Sequence, residues 1–278
     1  MHITSEQLET YQRDGYLFLP DYFTPREVDV MVAELPSVFG EDSPRRVMEK
    51  DGQGVRSVYG SHMTSPVFRV VARHPKLVVP IRQILGSEVY VYQFKINAKL
   101  ALVGDVWEWH QDYVFWLKED GMPAPRVINA VIFLDEVNEF NGPMFLIPGS
   151  HREGVVDVPA RGDRLQGYSD SPAWISNLTA QLKYSLSRET LASMVKKYGI
   201  VAPKGPRGSV LFFHPNIVHA SSPNLSPYDR PLAIVSYNSV ENVPQAAAAR
   251  RPEFLVSRDC RPVEPLSPDA LLSGGVGR

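Results

Sequence analysis

The chain has 278 residues, 44% of them hydrophobic, and 29 Lys and Arg against 31 Asp and Glu give a formal charge of −2. That length and apolar content can bury a sizeable core, and the even charge leaves no basic patch for nucleic acid or an anionic membrane. No apolar run approaches the roughly 20 residues of a membrane span, and Cys260 alone excludes an intrachain disulfide.

Ser5 is expected to cap a first helix that runs to about Arg13 and ends at Asp14-Gly15. Residues 16–19 read as a short apolar strand. Thr24-Pro25-Arg26-Glu27 then supplies an N-cap, a proline at the first helical position and a capping-box Glu. Val28, Met31, Val32 and Leu35 follow at helical spacing as a buried stripe. Residues 40–65, rich in Gly, Asp, Ser and Arg, show no period and are expected to be a surface loop or a lid over a site. A helix over 75–85 should stop at Gly86.

From residue 89 to 97 the alternation predicts a strand. Val91, Gln93, Lys95 and Asn97 lie on one face, and Tyr90, Tyr92, Phe94 and Ile96 on the other. Residues 127–134, 144–147, 209–213 and 232–237 are further β-branched or aromatic runs. An insertion over about 153–204 carries a helix near 186–198, and a short Ala tract occupies 246–249. Helices followed by many short strands predict a mainly β fold with flanking helices, a double-stranded β-helix or jelly roll. The expected organisation is one domain over 1–278, with a helical buttress at about 1–86 and a jelly-roll core at about 87–245.

Chemistry concentrates in Trp109-His110-Gln111-Asp112. In an extended strand residues i and i+2 share a face, so His110 and Asp112 can reach one ion while Gln111 points away. A histidine from another strand would complete two imidazoles and one carboxylate. That set is the facial triad of non-heme Fe(II), which leaves positions for a co-substrate and O2. Of the seven histidines, His2 is terminal, and His62, His74 and His151 sit in turn-like surroundings. His214 and His219 remain. Arg230, eleven residues past His219, is suited to clamp a carboxylate through two parallel hydrogen bonds, as 2-oxoglutarate would require. For a free amino acid as substrate, Arg56 offers a partner for the carboxylate, with a solvated lid charge as the alternative. Tyr113, Trp116 and Glu119 offer aromatic and acidic partners for the amine.

Residues 15–20, His110-Gln111-Asp112, Asn141-Gly142-Pro143, residues 147–151 and His219 with Arg230 resemble the phytanoyl-CoA dioxygenase superfamily. Residues 109–113 with Trp116, then 119–123, are similar to its ectoine hydroxylases. Residues 49–52, 93–99, 104–107 and 251–255 are similar to its bacterial L-proline trans-4-hydroxylases. The resemblance covers nearly the whole chain. It implies that His110, Asp112 and His219 bind Fe(II), and that Arg230 with Ser221 pairs the distal carboxylate of 2-oxoglutarate. It further implies that Asn97 contacts this co-substrate and that Gln93 and Trp116 lie beside the substrate. The resembling enzymes usually carry Asp where His214 stands, and His214 is then expected in the surroundings of the metal. Asp112 as a ligand argues against halogenation.

The function expected is hydroxylation of a free cyclic amino acid, L-proline at the trans-4 position or a relative such as L-pipecolate, with Fe(II), 2-oxoglutarate and O2. The alternatives are ectoine or another substrate of secondary metabolism, and, in a different class, a non-catalytic jelly-roll binding protein. An intact set of His110, Asp112, His219 and Arg230 speaks against the binder. The polar residues 1–6 carry no secretory signal. The expected setting is cytoplasmic, with a small-molecule partner and neither nucleic acid nor membrane.

Overall fold

The computed structural model describes residues 1–156, 173–245 and 250–273; the Ala tract and part of the 153–204 insertion lie outside the described residues. Helix α1 (Ser5–Asp14) starts one residue earlier in its cap than expected. Thr4, not Ser5, accepts from the Gln7 amide, and the Gln7 side chain returns to the Thr4 amide. Gly15 ends the helix with φ 79°, a left-handed conformation that glycine adopts without a Cβ penalty. Strand β1 (Tyr16–Leu19) and helix α2 (Pro25–Gly40) follow, with the Thr24–Glu27 capping box complete.

Residues 40–65 differ from expectation. They form β2 (Arg46–Met48), β3 (Val55–Tyr59) and the short helix α3 (Ser61–Thr64), and are neither a plain loop nor a lid. Two further helices, α4 (Pro66–Val71) and α5 (Pro75–Leu85), lead into β4 (Val89–Asn97). β3 pairs antiparallel with β4. Short strands of this kind gain their pairing from a neighbouring strand's free edge, which composition does not reveal.

The chain continues through β5 (Trp107–His110), α6 (Asp112–Asp120), β6 (Val127–Phe133), β7 (Met144–Leu146), α7 (Arg188–Tyr198), β8 (Val210–Phe213), β9 (His219–Ser221) and β10 (Leu232–Ser239). A seven-stranded sheet has the order β1-β8-β6-β10-β4-β3-β2, and a three-stranded sheet the order β5-β9-β7. This is the jelly roll with flanking helices. The larger sheet is buried on both faces. Ile128, Ala130, Ile132, Val210, Phe212, Ala233 and Val235 pack on the N-terminal helices. Their alternates Val131, Phe133, Leu211, Phe213, Leu232 and Ile234 pack toward Met144 and Leu146 of the smaller sheet. The region expected as a helical buttress therefore contributes three strands to the main sheet as well.

β4 breaks its own alternation. Gln93 pairs with Ser236 and Val91 with Tyr237, so Tyr92 is an extra residue opposite β10, a β-bulge. Beyond it, Phe94 and Ile96 join Val89 and Val91 on the helix side, whereas Tyr90 and Tyr92 pack with Trp116. The expected placement of Val91 with Gln93 and of Tyr92 with Phe94 is thus corrected. The one-residue slip lets an aromatic wall and the polar row Gln93, Lys95, Asn97 share the inner face.

Candidate active site

His110 ends β5, His219 begins β9, and the two are direct cross-strand partners with ring centroids 4.2 Å apart. Asp112 is not on the strand: Gln111 is still extended, and Asp112 is the first residue of α6. A carboxylate there also meets the favourable end of the helix dipole. One ligand atom from each of His110, Asp112 and His219 lies within 4.8 Å of the others, and all three residues are buried. Nε2 of His110 is 3.5 Å, and that of His219 3.8 Å, from the Asp112 carboxylate.

The surroundings fix the protonation this cluster needs. Nδ1 of His110 donates to the Glu108 carbonyl at 2.6 Å, and Nδ1 of His219 to that of Ile217 at 3.0 Å. A neutral imidazole so engaged turns its Nε2 lone pair toward Asp112. Burial, with His110 adding to it, pushes His219 down to about 3. Burial opposes the ionised form of Asp112, yet Lys95, His219 and His110 hold its carboxyl well below the usual range. Asn129 donates to Asp112 at 2.8 Å and accepts from Ser236 at 2.5 Å. Two lone pairs, one carboxylate and oriented outer partners match a divalent metal of Fe(II) type.

Two small cavities meet at this cluster, sharing Lys95, Trp107 and His110 as a common wall. The first is lined by Asn97, Ser221 and Arg230. Arg230 is fully buried, donates to the carbonyls of Asn141 and Gly142, and has no carboxylate partner among the described residues. Burial pushes its pKa down to about 9. Oδ1 of Asn97 is buried without a partner among the described residues. Gly142, at φ 76°, packs so tightly that an added Cβ would lie 2.8 Å from the Ser222 carbonyl, which explains a glycine in Asn141-Gly142-Pro143. A buried guanidinium facing a cavity, with carbonyls as its only partners among the described residues, is suited to hold an anion.

Beside it lies Lys99, which the sequence did not single out. Its ammonium donates to Ser221 Oγ at 2.9 Å and to the Asp105 and Ser222 carbonyls at 2.6 and 2.9 Å. Burial, Arg230 and Arg56 hold its pKa well below the ordinary amine value. Because Ser221 Oγ accepts from Lys99, its own proton is available to a ligand.

The second cavity is lined by Gln93, Trp116, Tyr59, Phe115, Leu182 and Arg251, among others. Gln93 Nε2 donates to the Leu255 carbonyl at 2.8 Å. Arg251 forms a buried two-point pair with Asp120 at 2.7 and 2.5 Å, and Asp120 also accepts from Tyr92. Leu182 carried no sequence signal for this place, and Arg251 carried one only through the resemblance of residues 251–255, with no role attached.

Several expected residues lie elsewhere. Arg56 reaches neither cavity. Its nitrogens bond Glu49 at 2.9 Å, the Leu178 carbonyl at 3.0 Å and the Val106 carbonyl at 2.8 Å, and its guanidinium stacks 3.8 Å over the Trp107 ring. It is neither a solvated lid charge nor open to a substrate. Tyr113 donates to the Met122 carbonyl, and Glu119 accepts from Lys183 and Tyr184. His214 stands outside the ligand cluster, its ring 5.1 Å from that of His151 and its Nδ1 accepting from the Asn216 amide. Asn129, not His214, is the outer partner of the Asp112 carboxylate.

The family model for phytanoyl-CoA dioxygenase (PhyH) matches residues 11–232. An L-proline trans-4-hydroxylase of Streptomyces griseoviridis is 40% identical over 261 residues, 94% of this chain and 95% of that one. An ectoine dioxygenase of Halomonas elongata is 36% identical, covering 96% of this chain and 79% of its own. EctD from S. alaskensis, solved with 2-oxoglutarate and 5-hydroxyectoine, superposes with TM-score 0.81 at 30% identity over 95% of this chain and 87% of its own. Its structure with bound Fe gives 0.79.

Proposed function

The chain belongs to the phytanoyl-CoA dioxygenase family, and we propose that within it this protein is an Fe(II)- and 2-oxoglutarate-dependent hydroxylase of a free cyclic amino acid, L-proline first and L-pipecolate as a relative. His110, Asp112 and His219 hold the metal, and the Arg230 cavity takes 2-oxoglutarate. Bound Fe(II) and 2-oxoglutarate supply the O2 chemistry: one oxygen atom enters a substrate C–H bond and the other enters succinate, with loss of CO2.

The chain's own residues bind and orient. Arg230 and Ser221 meet the distal carboxylate of the co-substrate, and the orphaned Asn97 Oδ1 faces the same cavity. Gln93, whose amide nitrogen is committed to Leu255, presents its oxygen to a substrate ammonium. Trp116, held edge-on by Tyr92 at 5.3 Å, supplies an aromatic wall for a saturated ring or its protonated nitrogen.

The observation that carries the choice of substrate is the 40% identity to an L-proline trans-4-hydroxylase over nearly the full length of both chains. Ectoine is a second reading, favoured by the likeness to EctD with bound 5-hydroxyectoine. Incubating the Fe(II)-loaded protein with 2-oxoglutarate and, separately, L-proline, L-pipecolate and ectoine decides between them. The expected result is one added oxygen on an imino acid with one succinate released per product. Hydroxylation of ectoine alone would overturn the imino-acid reading and leave the iron chemistry in place.

A further inference from the structure

Arg230 and Ser221 line the end of the cavity that takes the distal carboxylate of the co-substrate, and one further residue touches both. Lys99 follows β4 by two positions and is buried. Its φ is 41°, in the left-handed region that a residue with a Cβ enters only at a cost. The backbone is held there from two sides: the Arg230 amide donates to the Lys99 carbonyl at 3.1 Å, and Asn224 Nδ2 donates to it at 3.0 Å. The stem runs in a slot without slack, since a Cβ added at Gly104 would lie 2.8 Å, and at Gly142 3.1 Å, from Lys99 Cδ. The ammonium at its end spends three hydrogens on Ser221 Oγ and the carbonyls of Asp105 and Ser222. A strained residue kept in place by its surroundings, and joined to two ligand-binding groups, points to a role in the site.

An ammonium can only donate, so Ser221 Oγ has one possible role toward it. The single hydrogen of the hydroxyl must go elsewhere, and the cavity that Ser221 lines is where a ligand stands. Arg230 likewise has only hydrogens to offer. Glu49 and Asp105 are the carboxylates that act on Lys99, but Glu49 is paired with Arg56, and Asp105 turns its backbone carbonyl to the ammonium. Among the described residues, the hydrogen bonds of Lys99 and Arg230 all go to uncharged oxygens. We propose that Lys99 is a positioning residue: it fixes Ser221 as a donor to the distal carboxylate, and so shares with Arg230 the selection of a dicarboxylic keto acid over a monocarboxylic one. Any side chain with an acceptor in its place would let the Ser221 hydroxyl turn back and donate to it, leaving the ligand one hydrogen bond short.

This role rests on the reading of 2-oxoglutarate as the ligand of the Arg230 cavity. The test is calorimetric titration, without O2, of the Fe(II)-loaded protein with 2-oxoglutarate and, separately, with 2-oxopentanoate, which ends in a methyl group instead of the distal carboxylate. The proteins are the wild type, Lys99→Met, Lys99→Gln, Ser221→Ala and the double variant Lys99→Met with Ser221→Ala. Lys99→Met is expected to weaken 2-oxoglutarate by about tenfold or more, the scale of a hydrogen bond to a charged group. It should leave 2-oxopentanoate within about twofold, and that retained affinity certifies the fold and the metal. Lys99→Gln keeps donors for the carbonyls and offers Ser221 an acceptor, so it should show the same selective loss, and it carries the test if Lys99→Met does not fold. Removing Ser221 on top of Lys99→Met should cost no more than about twofold further, because the two act as one unit. Equal weakening of both keto acids makes Lys99 a structural residue and overturns the proposal. An unchanged preference between them, or losses that multiply in the double variant, overturns it as well. If the wild type binds neither keto acid, the functional reading fails and the proposal with it; wild-type binding that the variants leave unaltered sinks the role of Lys99 alone.

Discussion

The two cavities share a wall and differ in how the chain builds them. The Arg230 cavity is lined by residues of β4, β5, β7, β8, β9 and β10, and Arg230 itself stands two residues before β10. The Gln93 cavity borrows from β3, β4, β5, the first turns of α6, the turn ending at Leu178, Leu182 and, from the C-terminal segment, Arg251. A site on paired strands inherits a fixed period and register, so its residues are set once the ladder forms. A site where loops and a helix converge has no such period, and its composition can change without disturbing the sheets. His110 and His219 sit in the regular part, Asp112 on the first turn of α6, and most of the Gln93 cavity's walls in the part without a period.

The largest expected effect is at the ligand cluster where the two cavities meet. Replacing His110, Asp112 or His219 singly by Ala removes a ligand for which the site has no substitute, and should abolish turnover and Fe(II) binding. His214→Ala should keep both, since its ring lies against His151 and outside the cluster. A dead His214→Ala beside an active His219→Ala would reassign the distal ligand.

Arg56→Ala probes the framework behind the shared wall. It leaves Glu49 buried without its partner and Trp107 without its stacked guanidinium. Denaturant unfolding should show a loss of about 3–5 kcal/mol, the usual cost of breaking a buried pair. Full stability combined with a selective loss of substrate affinity would instead return Arg56 to the substrate. A smaller change is expected from Asn129→Ala, which removes the donor to Asp112. Fe(II) affinity by competitive chelation should fall roughly 10- to 100-fold, with the fold intact; an unchanged affinity would show that the Asp112 carboxylate needs no such support.

The same division explains what could be read beforehand. His110, Asp112 and Arg230 announce themselves because metal and carboxylate chemistry demands those side chains at nearly fixed spacings. The helix at 75–85 and the strand at 16–19 follow from their caps and apolar runs. The bulge at Tyr92 does not, since it arises from the pairing of β4 with β10 and both halves of the strand are apolar or aromatic. The strands within 40–65 stay hidden because their order comes from the β4 edge. Arg56 misleads for the same reason: an arginine in a polar segment looks free until Glu49 and the carbonyls of Val106 and Leu178 are brought to it.

The central claim is that each cavity holds its own anion and that the two are separable. It is tested most directly by the concentrations of 2-oxoglutarate and of L-proline needed for half-maximal turnover in Arg230→Ala and Arg230→Lys. The 2-oxoglutarate requirement should rise by the equivalent of about 2–5 kcal/mol in Arg230→Ala. Arg230→Lys should recover only part of it, because an ammonium cannot reproduce the planar fork, and the L-proline requirement should stay near that of the wild type. An unchanged 2-oxoglutarate requirement, or an equal rise for both compounds, would contradict the account.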